Sequence, residues 1–278
     1  MQAADSAWYA SSWIYGLRQL QGESMGKERR VPWNFAQALR RLSSGRGSKL
    51  LDVGCAEGHF LHLAEKAGYE VTGLDFNPVS IEIARKLLGV STVYQYSVEE
   101  LGDRFPGTRF DVVTIFEVLE HTADPYQTVH SVKKLLKPGG QVFLSVPGNR
   151  RWPRFFHPEV DAPPHHLTLW SEEALVRLLE RAGLRVHGVE SKPLCVEDLG
   201  IHMKWRLHVA IRKFRPKHSR SATMDENNVV AGLQGGHETR YAGMGRELAR
   251  LGLSPICRAL RLNPKAGGFT LFAHCQKV

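Results

Sequence analysis

Apolar and polar positions divide the chain into short apolar runs and longer segments whose apolar residues recur every three or four positions. The apolar runs at 50–53 and 110–116 predict parallel strands that are buried on both faces, and residues 69–75 predict a second strand that ends in Asp75. The segments at 59–66 and 80–88 have the spacing of helices that bury one face. Because strands and helices alternate along the chain, the pattern predicts a doubly wound α/β sheet.

The remaining elements follow from the same periodicities and from the residues that start and stop them. Asn77, Asp124 and Ser171 stand where helices should begin, since their side chains can accept hydrogen bonds from the first free amides. Residues 137–140, Lys-Pro-Gly-Gly, predict a turn. Further strands are predicted at 92–96, 141–146, 184–190 and 268–274, and further helices at 31–42, 125–136 and 172–182.

The first strand opens directly into a turn that contains Gly54 and Gly58. Glycines let the backbone approach a ligand closely, and the free amides of the following helix offer donors with a positive dipole behind them. Asp75 ends the second strand about 20 residues later, where an acid can accept hydrogen bonds from ribose hydroxyls. These two strand–turn–helix units predict a site for a nucleotide-like cofactor.

Two classes of cofactor use this arrangement, nicotinamide dinucleotides and S-adenosylmethionine. A dinucleotide-binding turn needs a third glycine, and His59 occupies that position. Asp52, two residues before Gly54, would repel a pyrophosphate but suits the ammonium of a methionyl group. The charge of the turn therefore favours S-adenosylmethionine, and a dehydrogenase is the less favoured alternative.

Four motifs in order resemble those of the Rossmann-like, class I S-adenosylmethionine-dependent methyltransferases, particularly the branch of the ubiquinone-biosynthesis O-methyltransferases. The motifs stand at 51–58, 71–75, 110–121 and 136–140, and the resemblance extends over about 49–190. It implies a seven-stranded, mostly parallel sheet whose last strand is antiparallel. Ala56 stands where the family usually has glycine, and we expect cofactor binding to be retained there.

The resemblance also assigns residues to the cofactor. It implies that Phe116 lies beside the adenosine and that Glu117 lines the site. Ser97 stands where the family often has an acid that bonds the adenine amino group, although it could simply end a strand. The expected cofactor-binding residues are Asp52, Gly54, Cys55, Gly58, Asp75, Phe76, Ser97, Val98, Phe116 and Glu117.

Histidines are the candidate catalytic residues. His165 and His166 lie in a stretch rich in proline and arginine, 150–170, which is expected to form a substrate loop over the cofactor cleft. A histidine there could remove a proton from an acceptor hydroxyl, or the pair could bond loop carbonyls. His121 is a further candidate base or a cap. No metal site is predicted, since adjacent histidines seldom both ligate one ion and no carboxylate spacing supports them.

The 278 residues are expected to form four parts. We predict an aromatic and basic arm over 1–48, a cofactor-binding core over 49–190, a basic helical insertion over 191–267 and a last core strand over 268–278. The helix of the arm is either a lid over the cofactor or a helix packed on the sheet. Residues 203–214 of the insertion form a basic amphipathic helix, which either lies on an anionic membrane or packs on the core.

The formal net charge of +9 is unevenly distributed. Residues 49–190 carry 15 Lys and Arg against 19 Asp and Glu, whereas residues 191–278 carry 15 against 6. The basic flanks predict an anionic partner outside the cofactor cleft, such as lipid headgroups, nucleic acid or a phosphorylated substrate. No apolar run approaches the roughly 20 residues that span a bilayer. With four cysteines in no paired metal spacing, we predict a cytoplasmic protein with peripheral membrane contact as an alternative.

Together the patterns predict an S-adenosylmethionine-dependent methyltransferase that acts on an oxygen of a small, lipid-associated or glycan-associated metabolite. The basic flanks make an RNA methyltransferase the rival enzyme. Residues 117–120 stand where amine-modifying nucleic-acid enzymes carry an Asn/Asp-Pro-Pro-aromatic motif, so the sequence argues against that chemistry. A non-catalytic module that binds S-adenosylmethionine for regulation is the alternative outside enzymes.

Overall fold

A sheet of seven strands organises the part of the chain that the computed structural model describes, residues 31–43, 45–89, 92–149, 163–193 and 270–278. Its order is β3-β2-β1-β4-β5-β7-β6. Strands β1 to β5 pair in parallel, and β7 runs antiparallel to both of its neighbours. The strands are β1 Lys49–Val53, β2 Glu70–Leu74, β3 Val93–Tyr94, β4 Phe110–Phe116, β5 Leu136–Pro147, β6 Leu184–Ser191 and β7 Thr270–Lys277. The predicted fold class is confirmed.

Helices cover both faces of this sheet. One cluster of buried apolar residues joins α1, α2 and α3 to the strands, and a second cluster joins α4, α5 and α6 to them. The helices are α1 Trp33–Arg41, α2 His59–Lys66, α3 Pro78–Leu88, α4 Val98–Arg104, α5 Pro125–Leu135 and α6 Glu172–Arg181, and a 3-10 turn spans Leu119–His121. Helices on both faces explain why the central strands are nearly continuous apolar runs.

The predicted helix starts are confirmed by their caps. The side chain of Asn77 accepts hydrogen bonds from the amides of Val79 and Ser80. Asp124 accepts one at the start of α5, and Ser171 accepts one at the start of α6. Each cap satisfies an amide that the helix cannot satisfy itself, so these starts are encoded locally.

Two predicted elements differ from the structure. The third strand has only two residues, because Ser97 already begins α4, where Ser97 and Glu100 form a reciprocal capping box. The predicted turn at 137–140 lies within β5, because Leu136 pairs with Phe110 before the turn and Gln141 pairs with Val112 after it. The extra residues form an irregularity in one strand rather than a connection between two elements.

Helix α1 packs on the sheet, as one of the two predictions for it required. The Trp33 ring meets Phe272 edge-on at 6.1 Å, and the Phe35 ring lies 5.1 Å from Phe60. At the other end of the helix, Arg41 forms an ion pair with Glu190. The helix is therefore fixed at both ends by contacts with other elements.

Several predictions concern residues outside the described ranges. The amphipathic segment 203–214, most of the insertion and the first 30 residues are among them, so the predicted domain boundaries stay predictions. Among the helices that the structure describes, none combines the length and the apolar character needed to cross a bilayer.

Candidate active site

A cavity of about 930 Å³ opens where β1, β2 and β4 end, beside the start of α1. The strand order reverses between β1 and β4, and such a reversal leaves a crevice at the carboxyl ends of parallel strands. Gly58, His165 and His166 are not among its lining residues, whereas the other predicted site residues are. Those are Asp52, Gly54, Cys55, Asp75, Phe76, Ser97, Val98, Phe116, Glu117 and His121.

The glycine turn after β1 has the backbone that its sequence predicts. Gly54 and Gly58 have φ angles of 76° and 78°, and a Cβ on Gly54 would lie 2.3 Å from a methyl of Val118. A Cβ on Gly58 would lie 2.9 Å from the Cβ of Ala84, so Gly58 shapes the turn from behind. Ala56 also has a left-handed backbone, with φ 46°. That conformation explains why glycine is usual at this position.

Asp75 joins the two turns of the site. One carboxylate oxygen accepts a hydrogen bond from the Ala56 amide at 2.9 Å, and the other accepts from the Asn77 amide at 2.8 Å. Burial raises the pKa of Asp75, and these two amides oppose that rise. Each carboxylate oxygen has a further lone pair, so the predicted ribose contact is compatible with the observed bonds.

Asp52 is a buried acid in the wall of the cavity. Its carboxylate accepts a hydrogen bond from the Thr114 hydroxyl at 2.6 Å, and the two residues are paired across β1 and β4. Burial raises the pKa of Asp52 to about 7, the Thr114 bond opposes the rise, and the nearby Asp75 adds to it. A cationic group in the cavity would favour the ionised form of this acid.

Apolar and aromatic groups form another wall. Phe76 is 51% exposed although it is a large apolar residue, and it lines the cavity together with Tyr96 and Val98. The Ser97 hydroxyl accepts the Glu100 amide as a helix cap at 3.1 Å, so its predicted adenine contact stays a prediction. Cys55 packs its thiol in the core, where burial raises its pKa well above the usual range.

Glu117 has an unusual backbone at the end of β4. Its φ angle is 55°, in the left-handed region that favours glycine. The main-chain carbonyl of Ser145 accepts the Glu117 amide at 2.9 Å, and the Ser145 hydroxyl donates to the Glu117 carboxylate at 2.8 Å. The side-chain amide of Asn34, from α1, donates to that hydroxyl at 3.0 Å.

The three candidate catalytic histidines form one cluster. The ring centroids of His121, His165 and His166 lie 4.7 to 4.9 Å apart. His121 Nδ1 lies 2.5 Å from the main-chain oxygen of His165. Since a carbonyl only accepts, Nδ1 carries a proton, and the other ring nitrogen, Nε2, lies 3.7 Å from the buried Glu120 carboxylate. Only His121 of the three lines the cavity, so the cluster meets the cavity through that side chain.

The cluster bears on the predicted absence of a metal. One ring nitrogen from each histidine can be chosen so that all three lie within 4.8 Å of one another. The adjacency of His165 and His166 therefore does not keep their nitrogens apart, and His121 joins them from another segment. The absence of a metal stays a prediction that metal analysis can test.

Comparisons with known proteins agree with the fold and the turn. A family model described as a methyltransferase domain matches residues 27–189, more than half of the chain. The ubiquinone biosynthesis O-methyltransferase of Erwinia tasmaniensis is 41% identical over 131 residues, which are 46% of this chain and 54% of that protein. The protein of the same name from Alkalilimnicola ehrlichii is 29% identical over 209 residues, 66% of this chain and 82% of that protein. The chain thus spans about half the length of the first of these relatives.

Solved structures share the fold at low sequence identity. The [4+2]-cyclase SpnF has a TM-score of 0.60 at 18% identity, over 100% of this chain and 97% of that one. Phosphoethanolamine N-methyltransferase 2 of Haemonchus contortus, in complex with S-adenosyl-L-methionine, has a TM-score of 0.61 at 14% identity, over 99% of this chain and 60% of that one. At these identities the likeness concerns the fold alone.

A doubly wound sheet with an acid-flanked glycine turn at its switch point defines a cofactor-binding α/β protein. The chain belongs to the methyltransferase-domain family, the class I S-adenosylmethionine-dependent methyltransferases. The residues present fit that cofactor. The buried Asp52 suits a cationic amino acid group, Asp75 suits a ribose, and the exposed Phe76 ring suits an adenine.

Some residues of the site were not predicted from the sequence. Thr114 bonds Asp52, Ser145 bonds Glu117, and Asn34 bonds Ser145 in turn. None of the three is a candidate from the sequence, although Thr114 lies within the motif at 110–121. The register of the strands holds the only signal for two of them, because Thr114 pairs with Asp52 and Ser145 pairs with Phe116. For Asn34 the contact depends on how α1 docks.

Proposed function

We propose that this chain transfers a methyl group from S-adenosylmethionine to a hydroxyl oxygen of a small or lipid-associated acceptor. The observation that carries the proposal is that one cavity is lined on one side by the residues expected to bind the cofactor and elsewhere by other polar residues. Asp52 and Asp75 belong to the first set, the cofactor wall, and Asn34, Glu117 and His121 belong to the second, the polar wall. The relatives named as ubiquinone biosynthesis O-methyltransferases support an oxygen acceptor, and a hydroxyl of a quinone precursor is the first acceptor class to test.

In this proposal the residues bind and orient, and one of them takes a proton. S-adenosylmethionine supplies a methyl group that its positive sulfur already activates. Asp75 would hold the ribose, Asp52 would hold the amino group, and Phe76 and Phe116 would flank the adenine. Because the chemistry needs little beyond alignment, positioning of the acceptor supplies most of the rate.

The proton of the acceptor hydroxyl would go to the histidine cluster. His121 lines the cavity and its Nδ1 carries a proton, so we assign the proton acceptor to the other ring nitrogen, Nε2. His165 and His166 lie behind it, 93% buried, and would hold its ring in place. This assignment selects one residue from the three histidines that the sequence proposes.

The test is formation of S-adenosylhomocysteine from S-adenosylmethionine with catechol and related hydroxyaromatic compounds as acceptors. We expect turnover that depends on the acceptor and stops in the Asp75→Ala variant. Cofactor binding is measured in parallel by calorimetry. Binding of S-adenosylmethionine without turnover on any phenolic, lipid or RNA acceptor would favour a regulatory module. Because the fold is shared with a cyclase, the assay must detect the methylated product itself.

The basic flanks support a second part of the proposal, contact with an anionic partner. The candidate segment at 203–214 lies outside the described residues, so the support is the charge pattern alone. A lipid surface fits a lipid-associated acceptor, and sedimentation with anionic vesicles tests it. Binding to RNA would instead weaken steeply with salt, and the protein would not sediment with the vesicles.

A further inference from the structure

We infer that Asn34 and Ser145 are positioning residues that hold Glu117 in the polar wall of the cavity, where the acceptor would bind. This inference rests on the proposed function and adds to it the groups that form the acceptor half of the site. It depends on a chain of two hydrogen bonds that runs from α1 through β5 to the end of β4.

The chain has a direction. The side-chain amide nitrogen of Asn34, Nδ2, can donate hydrogen bonds but cannot accept them. It therefore donates to the Ser145 hydroxyl oxygen, at 3.0 Å. Ser145 has one hydroxyl proton, and with its oxygen occupied as an acceptor this proton is directed to Glu117 Oε1, at 2.8 Å. The amide of Asn34 therefore sets which way the hydroxyl points. The carboxylate of Glu117 is fixed as a result.

Ser145 holds Glu117 at two points. Its carbonyl accepts the Glu117 amide at 2.9 Å while its hydroxyl donates to the carboxylate. Glu117 needs this support because its φ of 55° is unfavourable for a residue with a side chain. Ser145 itself is fully buried in β5, beside Phe116 in the strand register. The rigid centre of the sheet thus determines where the carboxylate lies.

Helix α1 brings the third member into place. Asn34 and Phe35 both line the cavity, and the Phe35 ring packs 5.2 Å from Phe116. The ion pair of Arg41 with Glu190 holds the far end of the helix. The position of α1 on the sheet therefore determines the orientation of the Glu117 carboxylate. In this reading the helix completes the acceptor half of the site, whereas Asp52 and Asp75 hold the cofactor without it.

The variant Asn34→Asp tests the direction of the chain. It keeps the size of the side chain, but a carboxylate accepts where the amide donates, so it turns the Ser145 hydroxyl away from Glu117. Asn34→Ala removes the donor without a competing acceptor. We expect both variants to lower kcat/KM for catechol by about three- to tenfold, the effect of one ordinary hydrogen bond. We expect the Asp variant to lose at least as much as the Ala variant.

Two controls separate positioning from general damage. Arg40→Ala changes an exposed residue of the same helix whose Nε donates only to the Ala36 carbonyl among the bonds described, and it should behave as wild type. The Kd for S-adenosylmethionine should stay within about twofold in all three variants, because none touches the cofactor wall. If the two Asn34 variants lost cofactor affinity and melting temperature along with kcat/KM, the role of Asn34 would be merely structural. That result would overturn the inference.

A readout without turnover distinguishes failure of the inference from failure of the proposed function. Hydrogen exchange of the Glu117 amide, followed by mass spectrometry of peptides that contain it, reports one of the two points at which Ser145 holds Glu117, the bond of this amide to the Ser145 carbonyl. We expect faster exchange in Asn34→Asp and Asn34→Ala and unchanged exchange in Arg40→Ala. If catechol is not a substrate but exchange responds in this way, the positioning role stands and the proposed reaction fails. Unchanged exchange with unchanged kcat/KM would overturn it.

Discussion

The two halves of the cavity are built in different ways. In the cofactor half, Asp75 bonds main-chain amides that lie 19 and 2 residues away in the sequence. In the acceptor half, the Asn34 side chain bonds the Ser145 side chain across 111 residues, and His121 bonds His165 across 44. Apart from the bond between the Asp52 and Thr114 side chains, the first half is made by backbone that the fold itself supplies. The second is made by side chains from segments that meet only when the whole sheet has formed.

This difference separates what a family shares from what one member does. Backbone amides and glycines are available to any chain that folds this way, so the cofactor half follows the fold. Side chains such as Asn34, Glu117 and His121 can change without disturbing the strands, so the acceptor half can specialise. Variants that damage one half and spare the other would support the division, and variants that damage both would break it.

The largest expected effect is on the cofactor half. Asp75→Ala removes the carboxylate that is proposed to accept hydrogen bonds from two ribose hydroxyls, and two such bonds to a charged group correspond to about 3 to 6 kcal/mol of cofactor binding. We expect calorimetry to show at least a hundredfold weaker Kd for S-adenosylmethionine, at about that lower limit. The exposed Glu82→Gln on α3 is the matched control. Wild-type affinity in Asp75→Ala would contradict the assignment of the cavity.

The next effect concerns the acceptor half alone. His121→Gln should lower kcat by about a hundred- to a thousandfold, the range for loss of a general base, and should leave the cofactor Kd unchanged. A histidine base must be unprotonated to accept the proton, so the pH dependence of wild-type kcat should change in the variant. A pH profile identical to wild type would remove His121 from the proton transfer.

Metal analysis of the same two proteins completes that experiment. With no metal predicted, protein purified without chelator should hold well below one ion per chain. About one equivalent of a transition metal in wild type, lost in His121→Gln, would mean that the cluster is a metal centre instead. Three histidine nitrogens within 4.8 Å make this outcome worth measuring.

The same contrast explains what the sequence predicts well. Strands, helix caps and the glycine turn depend on neighbouring residues, so Asn77, Ser171 and Gly54 are recognised in their places. Asp75 is recognised because the distance along a strand–helix–strand unit is nearly constant. Most of the fold and the cofactor half could therefore be predicted.

The acceptor half could not be predicted in the same way. Asn34, Ser145 and Glu117 meet only through the docking of α1 and the pairing of β4 with β5, and no local pattern records that meeting. The histidines were recognised as chemistry but not as a cluster, because the loop that carries His165 and His166 has no periodicity. The strand predicted at 92–96 is too long, although its composition is typical of a strand. Here the local signal that was missed is the helix cap at Ser97, which begins α4.

A smaller effect tests whether the buried acid Asp52 of the cofactor half lowers the stability of the folded protein. Burial raises the pKa of Asp52 to about 7 in the folded chain, from an ordinary value of 3.8. The folded protein therefore binds this proton more tightly than the unfolded one, and the contribution of Asp52 to stability is lost as pH rises from about 4 to 7. Asp52→Asn should raise the ligand-free unfolding free energy at pH 8 by at most a few kcal/mol, and by less at low pH. Urea unfolding at both pH values measures this.

The prediction for Asp52→Asn has a control variant and a matching prediction for cofactor binding. The exposed Asp103→Asn on α4 should leave the pH dependence of unfolding unchanged. The Asp52→Asn variant should bind S-adenosylmethionine more weakly although it is more stable, because the neutral amide no longer attracts a cation. Weaker binding without any gain in stability would mean that burial does not raise the energy of the ionised acid in the folded chain.

The smallest expected effect is at Ala56, where the turn carries a side chain in a left-handed backbone with φ 46°. Glycine adopts this conformation freely, which favours the variant by about 1 to 2 kcal/mol, but it loses about 0.5 to 1 kcal/mol of chain entropy on folding. Ala56→Gly should therefore stabilise the fold by about 1 kcal/mol. Thermal unfolding should show a higher Tm by a few degrees at most. Because the Ala56 amide still donates to Asp75, cofactor affinity should be unchanged, and a large change in affinity would mean that the turn is not fixed by its backbone alone.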